Sequence, residues 1–98
     1  MLPTNRPPST PGEVLEHEFL APMGLSKSEL AHRLGKLPQW LSPIITGKRA
    51  VTAETALRLG RYFGNAPQFW ANLQAQYDLA VAMRDVGRLV ELEVQTAA

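Results

Sequence analysis

The chain has 98 residues, 45% of them hydrophobic, and a net charge of +1. That length holds one small domain with one core, and that apolar fraction argues against disorder throughout. There is no cysteine, which excludes a disulfide framework or thiolate zinc site and fits a reducing cytosol, and no apolar run reaches the length of a signal peptide or membrane span.

Residues 1–10 contain three prolines and few apolar groups, the pattern of an extended arm. In TPGEVLEHEFLAP, Thr10 is a good N-cap, Pro11 suits the first helical position and Glu13 completes a capping box. Leu15 and Phe19 should share one face of this helix, with Pro22 ending it. LSKSELAHRLG predicts a second helix, capped by Ser26 and Glu29, with Leu30, Ala31 and Leu34 buried and Gly35 as its stop.

LPQWLSPIITGKR predicts a third helix whose apolar face is Leu41, Ile44 and Ile45 and whose stop is Gly47. Pro38 is at home in its first position. Pro43, about the sixth residue, removes the bond to the Gln39 carbonyl and costs roughly 3 kcal/mol in an ordinary helix interior. A kink, or a first turn set apart, is therefore expected. TAETALRLGRYFG gives a fourth helix, capped by Thr52, with Ala56, Leu59 and Phe63 inward and Gly64 at its end. APQFWANLQAQYDLAVAM gives a fifth, opened by Pro67, with Trp70, Leu73 and Tyr77 inward. In RLVELEVQ, Val90, Leu92 and Val94 alternate with Glu91, Glu93 and Gln95, which is strand period. A lone strand needs a partner, and frayed helix or disorder are the alternatives. The expectation is an all-α fold of five helices: an arm over 1–10, a domain over 11–82 and a tail over 83–98.

Charge is unevenly distributed. Residues 26–61 carry seven cations (Lys27, Arg33, Lys36, Lys48, Arg49, Arg58, Arg61) against Glu29 and Glu54, a net +5, while each flank is −2. A basic middle between acidic ends suggests a polyanion site. Two short helices joined at a glycine, over residues 26–46, are the helix-turn-helix signature. In that unit the second helix enters the major groove. Ser26 and Lys27 put N–H groups and a cation at the start of the second helix, where phosphate is favoured. Lys48 and Arg49 follow the third helix and are positioned to hold the backbone of the same groove.

The stretch from LSKSELAHRLG to WLSPIITGKRAVTAETALRLGRYFG resembles the phage repressor and Cro-like helix-turn-helix domain. With the flanks RPPSTPGEVLEHEFLAPMGLS and NAPQFWANLQAQYDLAVA, it resembles the HigA family of antitoxins over roughly residues 5–82. The resemblance implies an antitoxin, not an enzyme, that works in the cytoplasm. Its partners would be a RelE-like mRNA-cleaving toxin, a second copy of itself and the promoter DNA of its own operon. The base-reading positions fall on Pro38, Gln39 and Pro43, with Trp40, Ser42 and Thr46 beside them. Prolines stand where polar readers are expected, and proline has no donor for bidentate base contacts. Gln39 is then the best reader of adenine, and DNA shape, the N-terminal arm or a second subunit is expected to supply much of the specificity.

No metal or cofactor is expected, because His17 and His32 lack further ligands. Glu13, Glu16 and Glu18 read as a solvated helix face rather than an acid–base pair. Phe69, Leu79 and Met83 are candidates for a dimer seam, and Trp40 for either core or interface. The alternative function is a stand-alone helix-turn-helix regulator with no toxin partner, which requires tight promoter binding by the isolated protein. A third reading is a protein-interaction module whose DNA activity has decayed.

Overall fold

The computed structural model describes residues 9–97; most of the expected arm, Arg6 included, lies outside the described residues. Helix α1 has three contiguous pieces: an α-turn Pro11–Val14, a π-helical stretch Leu15–Leu20 and an α-turn Ala21–Met23. Its capping box is formed, with the Glu13 amide donating to Thr10 Oγ1 at 3.1 Å and the Thr10 amide donating to Glu13 Oε1 at 3.2 Å. The π stretch corrects one expectation. The helix passes Pro22 and stops at Gly24 instead. The wider winding pairs the Ala21 amide with the Glu16 carbonyl, five residues back, and loosens the ladder just where Pro22 offers no N–H. It also turns Leu15 and Leu20 onto the buried face, leaving Phe19 half-buried.

Helix α2 spans Lys27–Arg33, α3 Pro38–Ile45, α4 Ala53–Phe63 and α5 Pro67–Glu93. Five helices and no strand therefore make up the described residues, as expected of an all-α fold. Ser26 and Thr52 cap α2 and α4 by accepting the amides of Glu29 and Thr55. The core is one cluster: Leu15 and Leu20 from α1, Leu30, Ala31 and Leu34 around α2, Leu41, Ile44 and Ile45 from α3, Ala56 and Leu59 from α4, and Trp70 from α5. Trp70 is fully buried and satisfies its indole N–H on Asn65 Oδ1 at 2.9 Å. Phe19, Phe63 and Phe69 surround it, with centroids 5.0, 5.9 and 5.0 Å from its ring, which ties α1, α4 and α5 together in tilted and edge-on contacts.

Three contacts fix α2 and α3 on this core. Arg58 of α4 donates to the Leu34 carbonyl at the end of α2 at 2.9 Å. The Val51 amide, between α3 and α4, donates to Gln74 Oε1 of α5 at 2.8 Å. Gly12 of α1 packs on the carbonyls of Ile44 and Ile45 at the end of α3.

Of the readings left open for the tail, the structure has helix: α5 continues unbroken to Glu93. The strand pattern spanned only residues 88–95, whereas Leu79, Met83, Val86 and Val90 recur at helical spacing through the same region. A helix satisfies its own backbone, and a single strand does not. All four residues are exposed. At 27 residues α5 is about 40 Å long, and it accounts for most of the 49 Å long dimension of the molecule.

Candidate nucleic-acid interface

The connection between α2 and α3 is residues 34–37. Gly35 adopts φ +76°, its amide donates to the His32 carbonyl at 3.0 Å, and the Lys36 amide donates to the Ala31 carbonyl at 2.8 Å. These bonds close α2 and reverse the chain, and Leu37 then leads into α3. Helix α3 is divided lengthwise. Leu41, Ile44 and Ile45 face the core, while Pro38, Gln39, Ser42 and Thr46 are exposed and Pro43 is half-buried beside them. The sequence-predicted readers thus form one continuous outer stripe. Gln39 and Ser42 make no side-chain hydrogen bond among the described residues, so their polar atoms are available. The Thr46 hydroxyl turns back onto the helix, donating to the Ser42 carbonyl at 3.2 Å.

Pro43 does not set the first turn apart: α3 runs without a break from Pro38 to Ile45, with Pro43 inside it. Only the Gln39 carbonyl loses its amide partner, and Gln39 is exposed, so water can take that role. The Pro43 carbonyl itself is heavily used, accepting the amides of Lys48 at 2.9 Å and Arg49 at 3.1 Å. These bonds fold the residues after Gly47 back against the end of the helix.

Cations frame the stripe unequally. Arg49 donates from Nη1 to the Trp40 carbonyl at 3.2 Å, which draws its guanidinium across α3. Lys48 is exposed and has no ion pair among the described residues. Lys27 pairs with Glu16 at 3.2 Å, an exposed contact worth little in water. The start of α2 is less open to an anion than the sequence implies. Ser26 Oγ already accepts the Glu29 amide at 3.1 Å, and the Glu29 carboxylate stands 3.3 Å from the same hydroxyl.

Two residues next to the stripe were not assigned to the interface from the sequence, although Lys36 counted among the cations of the basic middle. Lys36 places its ammonium 5.2 Å from the Trp40 ring centroid, a cation–π contact, and lies 3.7 Å from Glu54 Oε2. Leu37 is exposed directly before Pro38. The only available signal was a leucine at a cap position where Ser, Thr or Asp is usual. Trp40 itself is half-buried against the core cluster, with one side on Lys36. Behind the turn, the Glu54 carboxyl is held below the usual carboxylate range, first by its hydrogen bond from Arg58 and then by the charge of Lys36.

Among the described residues no three His, Asp or Glu side chains converge as metal ligands, and no helix is long and apolar enough to cross a membrane. An exposed helical stripe with amide and hydroxyl groups, flanked by cations and backed by a rigid core, is chemically suited to a groove lined with phosphates.

No protein-family model matches the chain. Among curated proteins it is 49% identical over 75 residues to virulence-associated protein I of Dichelobacter nodosus, covering 76% of this chain and 69% of that one. It is 40% identical over 79 residues to antitoxin HigA-1 of Vibrio cholerae serotype O1, covering 81% and 74%. Among solved structures it superimposes with a TM-score of 0.89 on the antitoxin HigA of Pseudomonas aeruginosa, solved with the higBA promoter. That pair is 39% identical over 95% of this chain and 100% of that chain.

Proposed function

The chain belongs to the HigA family of helix-turn-helix antitoxins, and we propose that it neutralises a RelE-like mRNA-cleaving toxin and, as a dimer, represses its own operon by binding promoter DNA. The observation that carries the DNA half is the outer stripe of α3. Its fold matches, over nearly the whole chain, a protein solved with promoter DNA. In this reading Gln39, Ser42 and Thr46 face base edges, with Pro38, Pro43 and Trp40 beside them. Lys48 and Arg49 hold phosphates, with Ser26 and Lys27 at the other edge of the groove. The protein is not an enzyme and acts in the cytoplasm, where DNA and messenger are found.

The dimer half rests on α5. Leu79, Met83, Val86 and Val90 follow a spacing of four, three and four residues, the seam pattern of paired helices, and all four are exposed among the described residues. Two copies related by a twofold axis would present two α3 helices to one face of a duplex.

The toxin half rests on family membership and on charge. Helix α1 carries Glu13, Glu16 and Glu18, acidic groups that suit the basic surface of an RNA-cleaving protein, although Glu13 also closes the capping box and Glu16 pairs with Lys27. The tail residues 88–93, whose alternation suggested a strand, are helical, so they offer no strand to a partner's sheet. The test is co-expression with the neighbouring small reading frame of its transcript. Stoichiometric co-purification and relief of growth arrest support the antitoxin reading. Arrest unrelieved, with no co-purification, leaves the stand-alone regulator.

A further inference from the structure

We propose that Leu37, with Pro38 and Pro43, reads thymine through its 5-methyl group, so that methyl contacts take the role that side-chain hydrogen bonds play on an ordinary groove helix. The inference rests on the promoter-binding reading above.

Leu37 occupies the N-cap of α3, in extended backbone at φ −87° and ψ 157°, and its side chain caps nothing. Helices α1, α2 and α4 use Thr10, Ser26 and Thr52 at the same position, each accepting an amide of the first turn. Leucine is among the poorest residues for a cap. It is also 69% exposed, so it gains nothing from the core. A residue that neither caps nor packs within the chain fits an apolar contact outside it.

The surroundings match. Leu37, Gln39 and Trp40, with Lys36 and Arg49, line a shallow groove of about 530 Å³. Pro38 continues the apolar edge along the exposed side of α3, and Pro43, five residues on and half-buried, borders the stripe on its other side. Against such an edge, the polar groups of guanine, cytosine and adenine would lose water without gaining a partner. Thymine alone of the four bases presents an apolar group in the major groove. Gln39 adds the one amide of the stripe, which suits a neighbouring adenine. The combination favours a half-site with adjacent A·T pairs.

The test compares the protein's own promoter duplex, synthesised with thymine or with deoxyuridine at every thymine position, and a scrambled duplex in both forms. Deoxyuridine keeps every hydrogen-bonding edge and lacks only the methyl. The promoter should bind about fourfold more weakly for each methyl lost from contact, with a smaller change on the scrambled duplex. Leu37→Ala should narrow the gap between the two forms of the promoter by about the fourfold of one methyl contact, leaving what Pro38 and Pro43 contribute, while still preferring promoter to scrambled. Leu37→Ser restores a capping hydroxyl, so it should melt higher than the parent and still show the same narrowed thymine–deoxyuridine gap, which separates base reading from folding. Equal parental affinity for both promoter forms, alongside a clear promoter preference, overturns the methyl contact and leaves promoter binding standing. A full thymine–uracil gap in Leu37→Ala also overturns it, since the methyls would then act through DNA stiffness. No preference for the promoter over the scrambled duplex overturns both readings.

Discussion

Gly12, in the first turn of α1, lies so close to the carbonyl of Ile44 at the end of α3 that no Cβ fits between them. Helix α1 is thereby seated directly on the helix that carries the outer stripe, and the position of that stripe depends on a residue far from it in sequence. Gly12→Ala forces either α1 or α3 to move. Overpacking of this kind costs about 1–3 kcal/mol, and a domain of this size loses about 4–8 °C of Tm per kcal/mol. Thermal unfolding should show that loss, and an unchanged Tm would mean the two helices separate without penalty.

Pro43→Ala should raise stability. It restores an amide to the Gln39 carbonyl within a helix that is already continuous, and a gain of about 1 kcal/mol is expected, less than the full interior-proline penalty. Denaturant unfolding measures it. A loss would mean that the half-buried proline ring is worth more in packing than the missing bond.

Lys48→Ala combined with Arg49→Ala should weaken binding to every DNA sequence alike and flatten the salt dependence by up to about two logarithmic units per decade of salt. Arg49 also holds the Trp40 carbonyl, so a melt of the variant must accompany the titration. A folded variant with an unchanged salt slope removes both residues from phosphate contact.

Glu54 joins Lys36, on the turn between α2 and α3, to Arg58, which holds the end of α2. Its carboxyl is held below the ordinary range by Arg58 first and Lys36 second. A depressed carboxylate contributes stability above its unfolded pKa, and that contribution is lost as pH falls through the folded pKa. Glu54→Gln should therefore melt slightly below the parent at neutral pH, and the two curves should converge in acid. A difference that persists in acid would assign the effect to packing rather than charge.

What could be read from the sequence was local. The Thr10–Glu13 box, the Ser26 and Thr52 caps, the prolines that open α3 and α5, and the glycines that close α2 to α4 all act within one turn of chain. The inward and outward faces of α3 followed from spacing alone. The rest depended on longer reach. The π winding of α1 brings Leu20 inward beside Leu15, and no apolar pattern distinguishes that from ordinary helix in so short a segment. Residues 88–93 read as a strand because an eight-residue window hid the helical spacing that starts at Leu79. Pro43 is tolerated because the carbonyl it strands faces water, which depends on how α3 sits on the core. Lys36 and Leu37 were not assigned to the interface because they belong to a turn, where no periodicity marks the side facing out.

The most direct test of the account is a salt-dependent titration of the purified protein on its own promoter duplex and on a scrambled duplex. The account predicts tighter binding to the promoter, with a steep loss of affinity on both duplexes as salt rises. Equal, weak and salt-sensitive binding to both would contradict it, because α3 would then touch DNA without reading it.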